Sequence, residues 1–242
     1  MILAAGLGTR LRPLTDHVPK ALIEVAGVSL LGRVAQRLVD AGADRLIVNV
    51  HHHADEITRF LEGYEPDLGI EILVSREEER PLETGGGLLR AAPLFRKREP
   101  FLLHNVDVIS DLDLGSLYRA HAADTLATLA VQERETSRFL LFDEEGLFGW
   151  ENPAKGESKM GRPLRGSVRR LAFAGVHVVS SEVFRLLEAD YDRDARFSII
   201  DAYLRFAARG QRIAPHDVTS AFWVEVGTLE RLARAEALLA VR

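Results

Sequence analysis

The 242-residue chain has no cysteine, which excludes a disulfide framework, a thiolate nucleophile and any metal site built on thiolates. No apolar run approaches the ~18 residues of a membrane-spanning helix, and the opening apolar stretch is too short for a signal peptide. Positive charge is not in excess either. The 31 Lys and Arg stand against 36 Asp and Glu, for a net charge of −5, so the basic face of a nucleic-acid binder is missing. The Gly-Lys-Ser/Thr ending of a P-loop occurs nowhere, and no hexapeptide repeat supports a β-helix domain. The expectation is a cytoplasmic protein, monomer or homodimer, with neither membrane nor nucleic acid among its partners. With 47% hydrophobic residues it has enough apolar mass for one large α/β domain spanning 1–242.

Short apolar runs alternate with helical patterns, as in a mostly parallel sheet covered by helices. Residues 1–5, 45–50, 70–74 and 101–105 read as strands, and 30–42, 54–61 and 87–94 as helices. Right-handed crossovers make of these an α/β fold, a Rossmann-like, doubly wound mixed sheet flanked by helices, with ligands beyond the carboxyl ends of its strands. From Thr125 onward strands dominate, at 125–132, 139–142, 147–150 and 171–179, with 222–226 between closing helices at 199–208 and 229–240. The polar stretch from Asn152 to Gly166, with three glycines and two prolines, cannot sustain a helix or strand. It reads as a mobile loop, or as a surface insertion without a ligand role.

The first strand runs into Gly6-Leu-Gly8-Thr9-Arg10-Leu-Arg12-Pro13-Leu-Thr15-Asp-His-Val-Pro19-Lys20. Gly6 and Gly8 let the backbone turn and approach a ligand closely, with N–H groups converging on an anion. Arg10 adds a planar fork of donors and Lys20 a compact mobile charge, so the two can grip different phosphates. A dinucleotide fingerprint would need a third glycine where Leu11 stands. Asp107 closes a buried strand, where ligands collect in open α/β sheets and a carboxylate suits Mg²⁺. Asp111 and Asp113 are better placed to cap the helix that follows. Glu225 sits among apolar neighbours, and an acid there costs free energy unless paired or on a metal. Thr228 can cap the last helix. His51, His52 and His53 look like a metal cluster, but adjacent strand residues point to opposite sides and do not converge.

The opening loop resembles the signature of the sugar-1-phosphate nucleotidylyltransferases, Gly-x-Gly-Thr-Arg-x-x-Pro-x-Thr followed by Pro-Lys, with every fixed position matched. That resemblance implies a GT-A-like nucleotidyltransferase fold, with a nucleotide-binding half over about 1–124 and a sugar-binding and lid half over about 125–242. It makes Arg10, Lys20 and Asp107 catalytic, with Asp107 and Glu225 on Mg²⁺. Val106 replaces the family's usual glycine. Either the pocket is shaped for a smaller or differently placed sugar, or the strand's twist turns that side chain away. Glu225 replaces the aspartate of the family's Trp-x-Asp-x-Gly-Thr, so either the backbone retreats or a water intervenes.

Pro81-Leu-Glu83-Thr84-Gly85-Gly86-Gly87 reads as a turn before a helix, its glycines suited to a flat ligand or to a plain hinge. It resembles the corresponding segment of small bacterial uridylyltransferases acting on N-acetylmuramic acid 1-phosphate. By that resemblance Glu83, Thr84, Gly85 and Gly86 edge the nucleobase pocket opposite Leu3, Ala5 and Gly6, with Gly8 and Thr9 on the phosphates. Glu151 and Gly175 fall to the sugar. Asn152 stands where the family has a lysine, a charge that Lys155 or Lys159 could restore. The implied reaction joins a sugar 1-phosphate to a nucleoside triphosphate, UTP first, for nucleotide-sugar and cell-wall synthesis. A guanylyl- or thymidylyltransferase, or a non-catalytic nucleotide-sugar sensor, is the alternative.

Overall fold

The structure, a computed structural model, describes residues 1–240. The chain enters on β1 (Ile2–Leu3), winds through 3-10 turns at Thr9–Leu11, Leu14–Asp16 and Lys20–Leu22, and makes a small hairpin of β2 (Glu24–Val25) and β3 (Val28–Ser29). There follow α1 (Leu30–Asp40), β4 (Arg45–Val50), α2 (Ala54–Leu68), β5 (Glu71–Arg76), α3 (Glu83–Ala91) and β6 (Phe101–Asn105). β5, β4, β1 and β6 are parallel and adjacent in that order. The succession therefore reverses between β1 and β6, and such a reversal opens a crevice at the carboxyl ends of the two strands.

The remainder is β7 (Val108–Ser110), α4 (Leu114–Arg119), β8 (Thr125–Gln132), β9 (Phe139–Asp143), β10 (Gly146–Asn152), β11 (Glu157–Met160) and β12 (Arg169–Val179). The chain then closes with α5 (Glu182–Asp190), α6 (Ile199–Ala207), β13 (Arg212–Asp217), β14 (Trp223–Glu225) and α7 (Leu229–Leu239). β12 is the seam. It runs antiparallel to β6, β8 and β9, so strands of both parts share one ten-stranded mixed sheet. β14 pairs with β7 instead, in a separate two-stranded ribbon.

Alternation along the strands feeds two cores. Leu46, Val48 and Val50 meet α1 and α2 on one face, while Ile47 meets α3 and the α6 side on the other. Each such side chain, fully buried, contributes ~2 kcal/mol. Ser29 caps α1 by accepting from the Gly32 N–H at 3.0 Å, Asp113 caps α4 through Ser116 at 2.8 Å, and Thr228 caps α7 through Arg231 at 3.3 Å. No helix among the described residues is long and apolar enough to cross a membrane.

Several boundaries differ from the sequence expectation. The first strand is only Ile2–Leu3, although the Ala4 N–H still bonds Asn49 O at 3.0 Å. α2 runs on to Leu68, held by the buried Leu61 and Leu68 and by Phe60 stacked on Tyr64, until Gly69 ends it at φ 67°. α3 begins at Glu83, so all three glycines lie inside it. The stretch from Asn152 to Gly166 is not a featureless loop, because β11 pairs antiparallel with β10 around a turn closed by Gly156 at φ 66°. β11 is exposed along its length, so it lacks the apolar alternation that marks a strand.

Candidate functional site

The loop after β1 is built around Gly8. Its φ is 65°, and a Cβ there would lie 2.8 Å from Thr15 Cγ2 and 3.0 Å from Lys20 Cβ, so only glycine fits. Gly8 O accepts from Leu11 N at 2.8 Å and from Thr15 Oγ1 at 2.9 Å. Leu11 and Thr15 are buried, whereas Gly6, Thr9 and Arg10 stay exposed. The loop is thus pinned from below and open above.

Lys20, at the loop's far end, forms an ion pair with Asp107 in the turn after β6, with 11% and 18% of the side chains exposed. The pair bridges the crevice between β1 and β6. Val106 N–H bonds Leu3 O at 3.2 Å, and Val226 N–H bonds Asp107 O at 2.8 Å, tying the β14 end to the same turn. Val106 itself is buried in the core on the α1 side. Of the two readings of this residue, the side chain turned away is the one found.

Glu225 lies opposite Val108 across the β7–β14 ribbon. Its carboxylate pairs with Arg231 of α7 and, at 3.6 Å, with Arg10, which is 64% exposed. A Cβ on Gly227 would meet Glu225 Oε1 at 2.9 Å and Arg10 Nη2 at 3.0 Å, so this glycine keeps room for their meeting. Asp107 and Glu225 offer carboxylate oxygens, the donor type Mg²⁺ takes, and each is engaged by a cation of the protein. No group of three or more His, Asp or Glu side chains placed to hold a metal occurs among the described residues. An ion here would take its other ligands from phosphate and water, as magnesium commonly does, and would exchange with the cations now on the two carboxylates.

Between this ribbon and β12 opens a cavity of about 640 Å³. Arg10 and Glu225 stand at one side, Gly175 at its floor, and Trp150, Lys159 and Trp223 along its walls. Gly175 sits at φ 78°, where a Cβ would press on Val108 and Asn105. Lys159 reaches the cavity from β11 and pairs with Asp201 at 2.6 Å. Lys155 belongs to the turn before β11. Glu151 is not on the wall. It follows Trp150 on β10, and its carboxylate is taken by Arg170, because successive strand residues face opposite ways.

The glycine-rich helix start also differs from its expected use. Gly85 and Gly86 N–H groups both point at Phe197 O, at 3.0 and 3.4 Å, and Cβ atoms there would strike Phe197 and the Ala195 carbonyl. A Cβ on Gly87 would lie 2.7 Å from Glu77 Oε1. The three glycines admit the protein's own neighbours, so no flat ligand is needed to explain them. Thr84 Oγ1 accepts from Ile199 N at 3.0 Å, and Glu83, at φ 63°, accepts from Arg196 at 2.9 Å. Beneath them Glu77 is buried, bonded to Asn49 and to Leu82 N at 2.7 Å each. Burial raises its pKa, opposed by these bonds. Leu3 and Ala5 are half-buried at the end of β1. Of the three histidines, His51 donates to Glu77 O at 2.8 Å and His53 to Glu56 at 2.6 Å, while the exposed His52 meets the His53 ring edge-on with centroids 4.1 Å apart.

Two residues of the site, Arg134 and Arg231, had no place in the sequence reading, and Trp223 stood in the segment around Glu225 without a role of its own. Arg134 follows β8, and its guanidinium lies 3.8 Å from the centroid of the Trp223 ring. Arg231 occupies the first turn of α7, three residues past the Thr228 cap, and that position was the only available signal.

Residues 1–241 match the sequence model of the nucleotidyl transferase family. An N-acetylmuramate alpha-1-phosphate uridylyltransferase of Caulobacter vibrioides is 34% identical, over 99% of this chain and 96% of its own. One of Neisseria meningitidis serogroup B is 32% identical, over 98% of this chain and 96% of its own. Among solved structures, the inositol-1-phosphate CTP transferase of T. maritima superposes with a TM-score of 0.76 at 21% identity, covering 99% of this chain and 93% of that one.

Proposed function

The chain belongs to the nucleotidyl transferase family, and from that premise we propose that it joins a sugar 1-phosphate to UTP, releasing pyrophosphate and a UDP-sugar. The observation that carries this reading is the Lys20–Asp107 pair, which brings the glycine loop and the end of β6 together at the sheet's reversal. The relatives' substrate makes N-acetylmuramate 1-phosphate the first sugar phosphate to test.

A sugar 1-phosphate is anionic at neutral pH, so its oxygen needs no general base to attack the α-phosphorus. A new P–O bond forms there while the bond from the α-phosphorus to the β-phosphate oxygen breaks. What remains for the protein is positioning and charge neutralisation. Lys20 steadies the incoming phosphate. Arg10 receives the departing pyrophosphate, above the backbone N–H groups of the Gly6–Thr9 loop. Mg²⁺, with Asp107 and Glu225 as its protein donors, would supply further neutralisation of the phosphates. The cavity floored by Gly175 takes the sugar.

The test is pyrophosphate release by the full chain over a panel of nucleoside triphosphates and sugar 1-phosphates. UTP with N-acetylmuramate 1-phosphate is expected to give the highest kcat/KM. Faster turnover with GTP would overturn the uridylyl choice alone. No turnover with any pair would overturn the transferase reading.

A further inference from the structure

The cavity beside Glu225 holds more positive charge than a sugar phosphate's own group accounts for. Its two wall carboxylates are already matched, Asp201 by Lys159 and Glu225 by Arg231 and Arg10. Arg134 and Arg138 also line it, and neither has a carboxylate ion-pair partner among the described residues.

Arg134 is the better fixed of the two. Its guanidinium lies over the Trp223 ring, and Nη2 donates to Phe173 O at 3.0 Å. Trp223 is itself anchored, its indole N–H donating to Ala174 O at 2.8 Å. Nε of Arg134 is buried and without a hydrogen-bond acceptor. A desolvated cation costs free energy unless an anion answers it. An immobilised guanidinium loses little further entropy on meeting a planar, two-oxygen partner.

We propose that Arg134, seated on Trp223 in the cavity that Arg138 also lines, is a subsite for a carboxylate carried by the sugar, so that the enzyme selects a sugar 1-phosphate bearing a second acidic group. This rests on the transferase reading above and adds the residue that reads the sugar. An Arg in a stacked, bidentate role is not replaced by Lys without loss. The remaining source of such an anion is the sugar's own 1-phosphate, and the two are separable by comparing sugars.

The experiment uses the full chain with UTP and two probes, N-acetylmuramate 1-phosphate and N-acetylglucosamine 1-phosphate, which differ by an acidic ether. For wild type, Arg134→Gln and Arg134→Lys, kcat/KM is measured on each, and binding of each sugar phosphate by calorimetry. The wild type is expected to prefer the acidic sugar by about 100-fold, the scale of discrimination by a site with a buried charge left unpaired. Arg134→Gln should reduce that preference at least about tenfold, mainly through KM, with Arg134→Lys between the two. An equal loss on both sugars would assign Arg134 to the 1-phosphate or to the fold and overturn the subsite, as would an unchanged preference. Tight, Arg134-dependent binding of the acidic sugar without turnover would sink the transferase reading while the subsite stands.

Discussion

Lys20 reaches Asp107 across 87 positions of sequence, and the two side chains are mostly shielded from water. A cation held in such a place is worth more against a developing negative charge than one in solvent, because screening is weaker and no reorganisation is needed when the charge moves. Lys20→Ala is therefore expected to lower kcat/KM by about 10²-fold or more, the loss appearing in kcat. Arg10→Ala is expected to fall on the same scale only if Arg10 leaves solvent for the pyrophosphate, since in the free protein it is 64% exposed. Steady-state kinetics on both variants checks this, and wild-type rates in both would remove the assigned roles. Glu225 enters the same account in two capacities. It is the acid that pairs with Arg10 and Arg231, and the proposed reaction gives it the further place of second donor to a metal ion. Gly227 allows this arrangement at little cost, for the atoms its absent Cβ would touch are the mobile ends of Glu225 and Arg10.

At the scale of elements, α3 shows how tertiary contact overrides local preference. Three glycines in the first two turns weaken a helix by roughly 1 kcal/mol each relative to alanine, yet α3 begins before them because the chain around Ala195 and Phe197 packs directly on its backbone. Gly86→Ala would drive a Cβ into the Ala195 carbonyl, and backbone cannot step aside as a side-chain tip can. It is expected to destabilise by about 2 kcal/mol or more. Gly63→Ala, on the exposed side of α2 with nothing within 4 Å of the added Cβ, should stabilise by about 0.5–1 kcal/mol. Urea denaturation decides both, as opposite shifts in midpoint at a constant slope.

The same contrast explains what the sequence made legible. β4 was readable because its apolar, β-branched run is buried on both faces, and β6 because its short apolar run Phe101-Leu-Leu103 stands between turn residues. β11 was not, since its polar residues stay in solvent and only pairing with β10 makes it a strand. The loop after β1 could be read as a tight glycine turn, because Gly8 at φ 65° and cations at fixed offsets leave a pattern. Arg134 could not, because an arginine in a loop announces nothing until Trp223, 89 residues later in sequence, is folded beneath it. The triple glycine was visible as an anomaly, but its cause was a segment more than 100 residues away.

For the molecule as a whole, the seam strand β12 carries a titratable weakness. His177 lies in the core with both ring nitrogens unpartnered, stacked on Phe173 and edge-on to Tyr203. His104, on β6 beside it, donates to Asn105 O at 2.7 Å and leaves Nε2 unpartnered. Burial holds both rings neutral, lowering His177 to about 3 and His104 to about 4. In the unfolded chain each titrates near 6.5. At these two rings the unfolded chain binds up to two more protons than the fold, so their contribution to stability is full above about pH 6.5 and falls as the pH drops towards the folded values. The slope for two such groups approaches about 2.7 kcal/mol per pH unit. Asp143, held below the usual carboxylate range chiefly by its hydrogen bonds from Arg162, adds a second loss only below about pH 4. Urea midpoints measured from pH 7.5 to pH 4.5 are thus expected to fall steeply through the histidine window. His177→Phe keeps an aromatic ring against Phe173 and removes one of the two protons. The variant should lose about half the slope, or about 1.4 kcal/mol per pH unit, and so outlast the wild type near pH 5. An unchanged slope would mean that His177 is protonated or solvated in the fold, and that β12 is not the element through which acid undoes the sheet.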